Sequence, residues 1–313
     1  MLFKNFLRRE VELLWRESPA LTTTTALMLA DFLVTLAGLA IDPRIITGMP
    51  AWLKPAKFAI SFAIFCASIA WLFRYLADFP KTKRWLGPAL AAILILEAGI
   101  IDIQAARGVT SHFNVTTSGN AILYTIMGVS IGQLWLVSVW ILVALFRQPF
   151  KDPAWGWALR LGMLVSVLGT TSGGLMTVPT SEQRAAMARH ERVTVSGAHT
   201  VGAPDGGPGL PGTGWSKQHG DLRIPHFIGM HALQIIPFLF WLSRKRTTRF
   251  VFSISASYLA LYAILFWQAL RGESIAQPSA ATLTVLGVWL AAAIGAVISF
   301  ERNGYEIGAL HER

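Results

Sequence analysis

The sequence predicts an all-α integral membrane protein, about eight transmembrane helices in one bundle, and three observations carry that expectation. Of 313 residues, 53% are hydrophobic and only 14% charged, against about 25% charged in soluble domains. Mean hydropathy is +0.50. Eight apolar stretches follow one another along the chain, each close to the roughly 20 residues that cross a hydrocarbon core.

The chain opens with MLFKNFLRREVELLWRES. Here Phe3, Phe6, Leu7, Leu13 and Leu14 alternate with Lys4, Arg8, Arg9 and Arg16, which predicts an amphipathic interfacial helix over 1–20. The spans read 21–42, 56–78, 86–107, 121–147 and 158–179, then 226–243, 249–270 and 277–300. Transmembrane helices 1–5 thus occupy 21–180 and helices 6–8 occupy 226–300. The first span has the small-x-small pair Gly38 and Ala40, as signal peptides do, but it is too long for a signal core and holds Asp31. GVSIG (128–132) and GTTSG (169–173) are GxxxG patterns that allow close helix approach. Pro237 is expected to kink the sixth span. Cys66 lies within an apolar run and cannot form an internal disulfide, so it reads as a small core residue.

Between spans five and six lies a segment, 181–225, dense in Gly and Pro. Its first part, SEQRAAMARHERV, predicts a short helix. A connection this long is a lid, a binding loop or a linker, and Trp215 with two histidines favours an extracytoplasmic lid. Residues 301–313 read as a cytoplasmic tail.

The net charge is +10. In a soluble chain that would indicate nucleic acid; in this one it reflects basic cytoplasmic loops, and no nucleic-acid partner is expected. Most of the 27 Lys and Arg fall in segments on one side if the N-terminus is inside: Lys4, Arg8, Arg9 and Arg16; Arg74, Lys81, Lys83 and Arg84; Arg147, Lys151 and Arg160; Arg244, Lys245, Arg246 and Arg249; Arg302 and Arg313. Both termini are therefore expected in the cytoplasm of a bacterial inner membrane. Oligomeric state is not legible.

Ionisable residues within spans are functional suspects. Glu97 is near the middle of the third span, with Asp102 and Gln104 towards its outer end and His112 and Asn114 just beyond. Glu97 and Gln104, seven apart, share a helix face, and Asp102 turns away. In the second span Lys54 is expected to snorkel to the interface, whereas Lys57, a turn deeper, calls for a carboxylate among Glu97, Asp102 and Asp31. The sixth span opens with GDLRIPHFIGMH. His226 and His231, five apart, point about 140° from each other and so meet different partners. Gln234 lies near His231 in angle. Asp221 is placed to cap the helix start, and Arg223 to bind an anionic group.

These residues predict a polar cavity open to the extracytoplasmic side. As an enzyme or redox site it would use His231, His112, Asp102 and Lys57 for chemistry, and Arg223, Asn114, His226 and Gln234 to hold a small anionic or lipid-like substrate. His112, His226, His231, Asp102 and Glu97 are candidate ligands for a transition metal such as zinc, iron or copper; haem fits less well. No HExxH or CxxC motif is present and no GxSxG elbow is visible, since GVSIG lies inside an apolar span and not at a strand-to-helix turn; Ser111 beside His112 is not expected to point with it. The same groups would also serve a proton-coupled transporter or ligand sensor, or a structural membrane protein with no catalytic site.

Overall fold

A computed structural model describes residues 2–243 and 247–311. Arg244, Lys245, Arg246 and Arg313, which enter the orientation argument, lie outside the described residues. The chain is helical apart from two short β pairs. Its elements are α1 (Leu2–Glu17), α2 (Pro19–Ile41), β1 (Ile45–Ile46), β2 (Met49–Pro50), α3 (Leu53–Phe73), α4 (Pro80–Ala106) and α5 (Ser118–Arg147), then α6 (Pro153–Leu175), α7 (Ser181–Ala188), β3 (Thr200–Val201), β4 (Gly220–Asp221), α8 (Arg223–Leu242), α9 (Thr248–Leu270) and α10 (Ala280–His311).

Seven of these helices, α2 to α6, α8 and α9, are long and apolar enough to cross a membrane. The sequence predicts about eight. The eighth expected span corresponds to α10, whose apolar stretch over Ala280–Ala296 is shorter than the others; α10 itself continues to His311, through the residues expected to form a tail.

Helix boundaries follow local chemistry. Ser18 separates α1 from α2: its hydroxyl accepts the Leu21 N–H and Pro19 occupies the first turn, where a missing N–H costs nothing. Asp152 caps α6 by accepting from Ala154 and Trp155. Thr180 and Gln183 form a reciprocal capping box at α7, which is the short helix expected of SEQRAAMARHERV. β1 and β2 pair antiparallel across Thr47 and Gly48, both left-handed at φ 48° and 74°, as a two-residue hairpin turn requires.

The chain divides into two compact units. The first comprises residues 1–148, 177–198 and 205–214, and so contains α1 to α5 and α7. In it α2 packs along α3, with Gly38 leaving room for the Trp52 ring, 2.6 Å from where a Cβ would sit. Its core includes Leu21, Ile69, Phe73, Leu90 and Leu94, together with Cys66, which is fully buried as expected. α4 packs against α2, α3 and α5.

The second unit comprises 149–176, 199–204 and 215–313. α6 and α8 cross closely because both are thin at the crossing: a Cβ on Gly169 would strike the Gly229 backbone, and one on Gly162 would lie 3.0 Å from the Ala232 carbonyl. Ala158, Val165, Ala232, Ile236 and Phe240 form the core there. The GTTSG glycines therefore act as expected. The GVSIG pair does not: nothing lies within 4 Å of a Cβ at Gly128 or Gly132, because that face of α5 meets no neighbouring helix. α8 runs unbroken through Pro237 to Leu242.

Candidate functional site

The expected site residues fall in both units. Lys57, Glu97, Asp102, His112 and Asn114 belong to the first, and Arg223, His226, His231 and Gln234 to the second.

In the first unit the polar groups gather where α2 and α4 end and α3 and α5 begin. Glu97 and Gln104 are both 0% exposed, as their seven-residue spacing requires. Among the described residues, neither carboxyl oxygen of Glu97 has a hydrogen-bond partner. The nearby positive charge is Lys54, which also stands 5.8 Å from the Phe58 ring centroid. Lys54 is thus near enough to act on Glu97 through its charge, in addition to the snorkelling that the sequence suggests. The deeper Lys57 donates to the Thr213 carbonyl at 2.6 Å; that segment, 205–214, belongs to the same unit. Asp102 faces the other way, and its carboxyl meets that of Asp31 on α2 within hydrogen-bonding reach. The outer oxygens, Asp31 Oδ2 and Asp102 Oδ1, are buried without partners among the described residues. The two acids of α4 therefore serve different neighbours, as their helical angle predicts. Asp31 is the member of this group that sequence reasoning leaves outside the site; its mid-span position was the available signal.

Next to the acids is a closed amide network. Gln104 Nε2 donates to Asn120 Oδ1 at 3.1 Å, and Arg107 Nη1 donates to Gln104 Oε1 at 2.7 Å. Asn120 Nδ2 reaches Thr116 Oγ1 at 2.8 Å. That hydroxyl in turn donates to Asn114 Oδ1 at 2.6 Å, and Asn114 Nδ2 donates to the Thr110 carbonyl at 2.9 Å. Both ends of the Asn114 amide are engaged within the chain. Arg107 and Thr116 escape a sequence reading because each lies outside the apolar core of a span.

Ser111 and His112 correct an expectation. Ser111 Oγ lies 3.1 Å from His112 Nδ1, so these sequence neighbours do point together. They sit in a bend rather than a helix or strand, so their side chains are not held apart by regular geometry. The next residue, Phe113, has φ 62°, uncommon for a non-glycine residue and costly unless its surroundings fix it. Its ring packs edge-on to Tyr124 and its carbonyl accepts from Ser196 at 2.9 Å. His112 is backed by Phe58, 5.6 Å between ring centroids.

Segment 181–198 is pinned over this region. Val115 N–H donates to the Thr194 carbonyl, Arg192 donates to the Thr116 carbonyl, and Asn114 and Val195 form a β-bridge. At the rim, the Asp42 carboxylate, hydrogen-bonded by the Arg44 guanidinium and by Trp52, is held well below the usual carboxylate range. Arg44 also donates to the Ala106 carbonyl, joining the ends of α2 and α4.

In the second unit Asp221 is 1% exposed and precedes Leu222, the residue that stands at the start of α8 with no side-chain cap, so the expected capping by Asp221 is replaced by a local turn. Asp221 accepts the Arg223 backbone N–H at 3.0 Å and the Ser216 N–H at 2.8 Å. Arg223 grips both its oxygens, at 2.9 and 2.6 Å, so the anion that Arg223 meets is Asp221. His226 Nδ1 lies 2.8 Å from the Gly169 carbonyl, in space that Gly173 leaves open. His231 packs edge-on to Phe227 at 4.3 Å, which in turn meets Trp215, and Gln234 is beside it. The two histidines have different partners, as their spacing predicts. Among the described residues, no three His, Cys, Asp or Glu side chains gather as metal ligands.

Compared with known proteins, the chain matches no family model, no curated protein and no solved structure.

Proposed function

We propose that the chain is a proton-handling integral membrane protein that couples proton movement to the passage of a small solute. In this reading Glu97 and Asp102 exchange protons within the bundle, with Lys57 and His112 at its mouth. One observation carries it: Glu97 is 0% exposed on an apolar helix, and both its carboxyl oxygens lack hydrogen-bond partners among the described residues. A structural acid buried there would have its oxygens satisfied, because an unmet buried polar group costs about 1–3 kcal/mol. Ionisable groups inside spans mark ion and proton pathways. The neighbouring carboxyls of Asp31 and Asp102 add support, since two acids brought together within membrane spans are a pairing that proton pathways use.

The Lys and Arg distribution supports cytoplasmic termini in a bacterial inner membrane, and in this reading the Lys57 end of the first unit faces the extracytoplasmic side. Solute-binding roles for Arg223, Asn114, His226 and Gln234, and a part for His231 in proton transfer, are proposals of the sequence alone.

The test is uptake of a panel of small anionic and neutral solutes by proteoliposomes, with and without an imposed proton gradient. Gradient-driven uptake of at least one solute is expected, and Glu97→Gln abolishes it. Uptake that ignores the gradient, or that survives Glu97→Gln, contradicts the reading.

A second reading, an enzyme acting on a lipid-soluble or small anionic substrate, is favoured by the Ser111–His112 pair, in which the imidazole would act as base to the hydroxyl. Zinc, iron or copper on His112, His226 or His231 with Glu97 or Asp102, or a haem, remains a proposal of the sequence alone.

A further inference from the structure

We propose that the groove between α9 and α10 binds one anionic glycerophospholipid, with its headgroup at Arg249 and an acyl chain running inward along α9. The inference rests on the membrane reading of the fold and is independent of the proton chemistry.

The groove encloses about 300 Å³, at the lower end of the roughly 300–1,000 Å³ typical of ligand sites. α9 and α10 run antiparallel along it. Trp289 closes one end, its indole N–H donating to the Ser257 carbonyl at 2.8 Å. Further along α10, Ala293 and Ala296 line the wall, and their small side chains leave the space. The Tyr258 hydroxyl is committed to the Ile228 carbonyl at 2.6 Å, so this tyrosine presents its ring. The wall is otherwise apolar except for Ser253 and Ser257.

The order of groups along α9 is what selects a phospholipid. Arg249, Ser253 and Ser257 recur every four residues. Each step advances about 6 Å and rotates only about 40°, so the three form one stripe. Arg249, in the first turn, is exposed and lies outside the groove's lining, one turn before Ser253. A cation at the helix end, a hydroxyl one turn in, and apolar wall beyond reproduce the succession of phosphate, glycerol ester and hydrocarbon. A free solute has no use for the apolar end, and a purely apolar molecule has no use for the guanidinium.

The test uses the full chain purified in mild detergent, with native mass spectrometry of titrations by phosphatidylglycerol and phosphatidylcholine. One phosphatidylglycerol is expected to be retained in preference to phosphatidylcholine. Arg249→Gln, on the surface, weakens it about fivefold, the effect of one basic residue near an anionic headgroup. Ala293→Phe fills the groove and abolishes retention. Equal retention of both lipids, or retention unchanged in both variants, means annular lipid only and overturns the proposal. A changed oligomeric state in Ala293→Phe with lipid binding intact assigns the groove to a second copy and overturns it equally.

Discussion

Glu97 separates a functional account from a structural one. Its carboxyl is enclosed by α4 and its neighbours, without hydrogen bonds among the described residues, and Lys54 is the nearby charge. If Glu97 is kept for proton exchange, it is a stability liability. Glu97→Met should then raise thermal stability in detergent, on the order of 1 kcal/mol, while proton-driven uptake is lost. A fall in stability of 1 kcal/mol or more would instead make Glu97 the structural partner of Lys54. The sequence made Glu97, Gln104 and Asp102 legible because helical spacing alone assigns their faces. It could not make Lys54 or Asp31 legible: snorkelling and nearness to Glu97 start from the same residue at the same depth, and a lone Asp in a span does not say which helix it will meet. The Ser111–His112 contact was hidden for a related reason, since neighbour directions in a bend depend on a backbone that local pattern does not specify.

Among the elements, the crossing of α6 and α8 shows how much small residues decide. In lipid no hydrophobic force draws helices together, so close packing and polar contacts must. Gly169 against Gly229 permits that approach, and the Gly169 carbonyl thereby reaches His226. Gly169→Ala should force the helices apart and cost about 1–3 kcal/mol, read as a lower melting temperature. Gly128→Ala, with open space around it, should leave the melting temperature unchanged or raise it slightly, because alanine favours the helix. Equal effects at both positions would remove the packing role. GxxxG spacing flagged both glycine pairs alike, because the motif reports what a helix permits and not which partner is present. Local chemistry is more readable, as at α7, where Thr180 and Gln183 form a capping box at the start of the expected short helix.

For the whole molecule, composition and hydropathy made the class visible: a helical chain with seven helices able to cross a membrane. The division into two compact units was not visible, because residues 181–225 contribute to both, and no run of composition announces that exchange. The lid expectation rested on length and glycine content, whereas 181–198 is held mainly by backbone bonds to 113–116, which carry no side-chain signature, with Arg192 adding one side-chain bond. The central claim, that acids inside the first unit hold and release protons, is tested most directly by infrared spectroscopy of the reconstituted full chain as pH is varied. The account predicts a carboxylic-acid C=O band that titrates with pH, with one component removed by Glu97→Gln and another altered by both Asp31→Asn and Asp102→Asn. A spectrum with no such band, or one unchanged in all three variants, would contradict it.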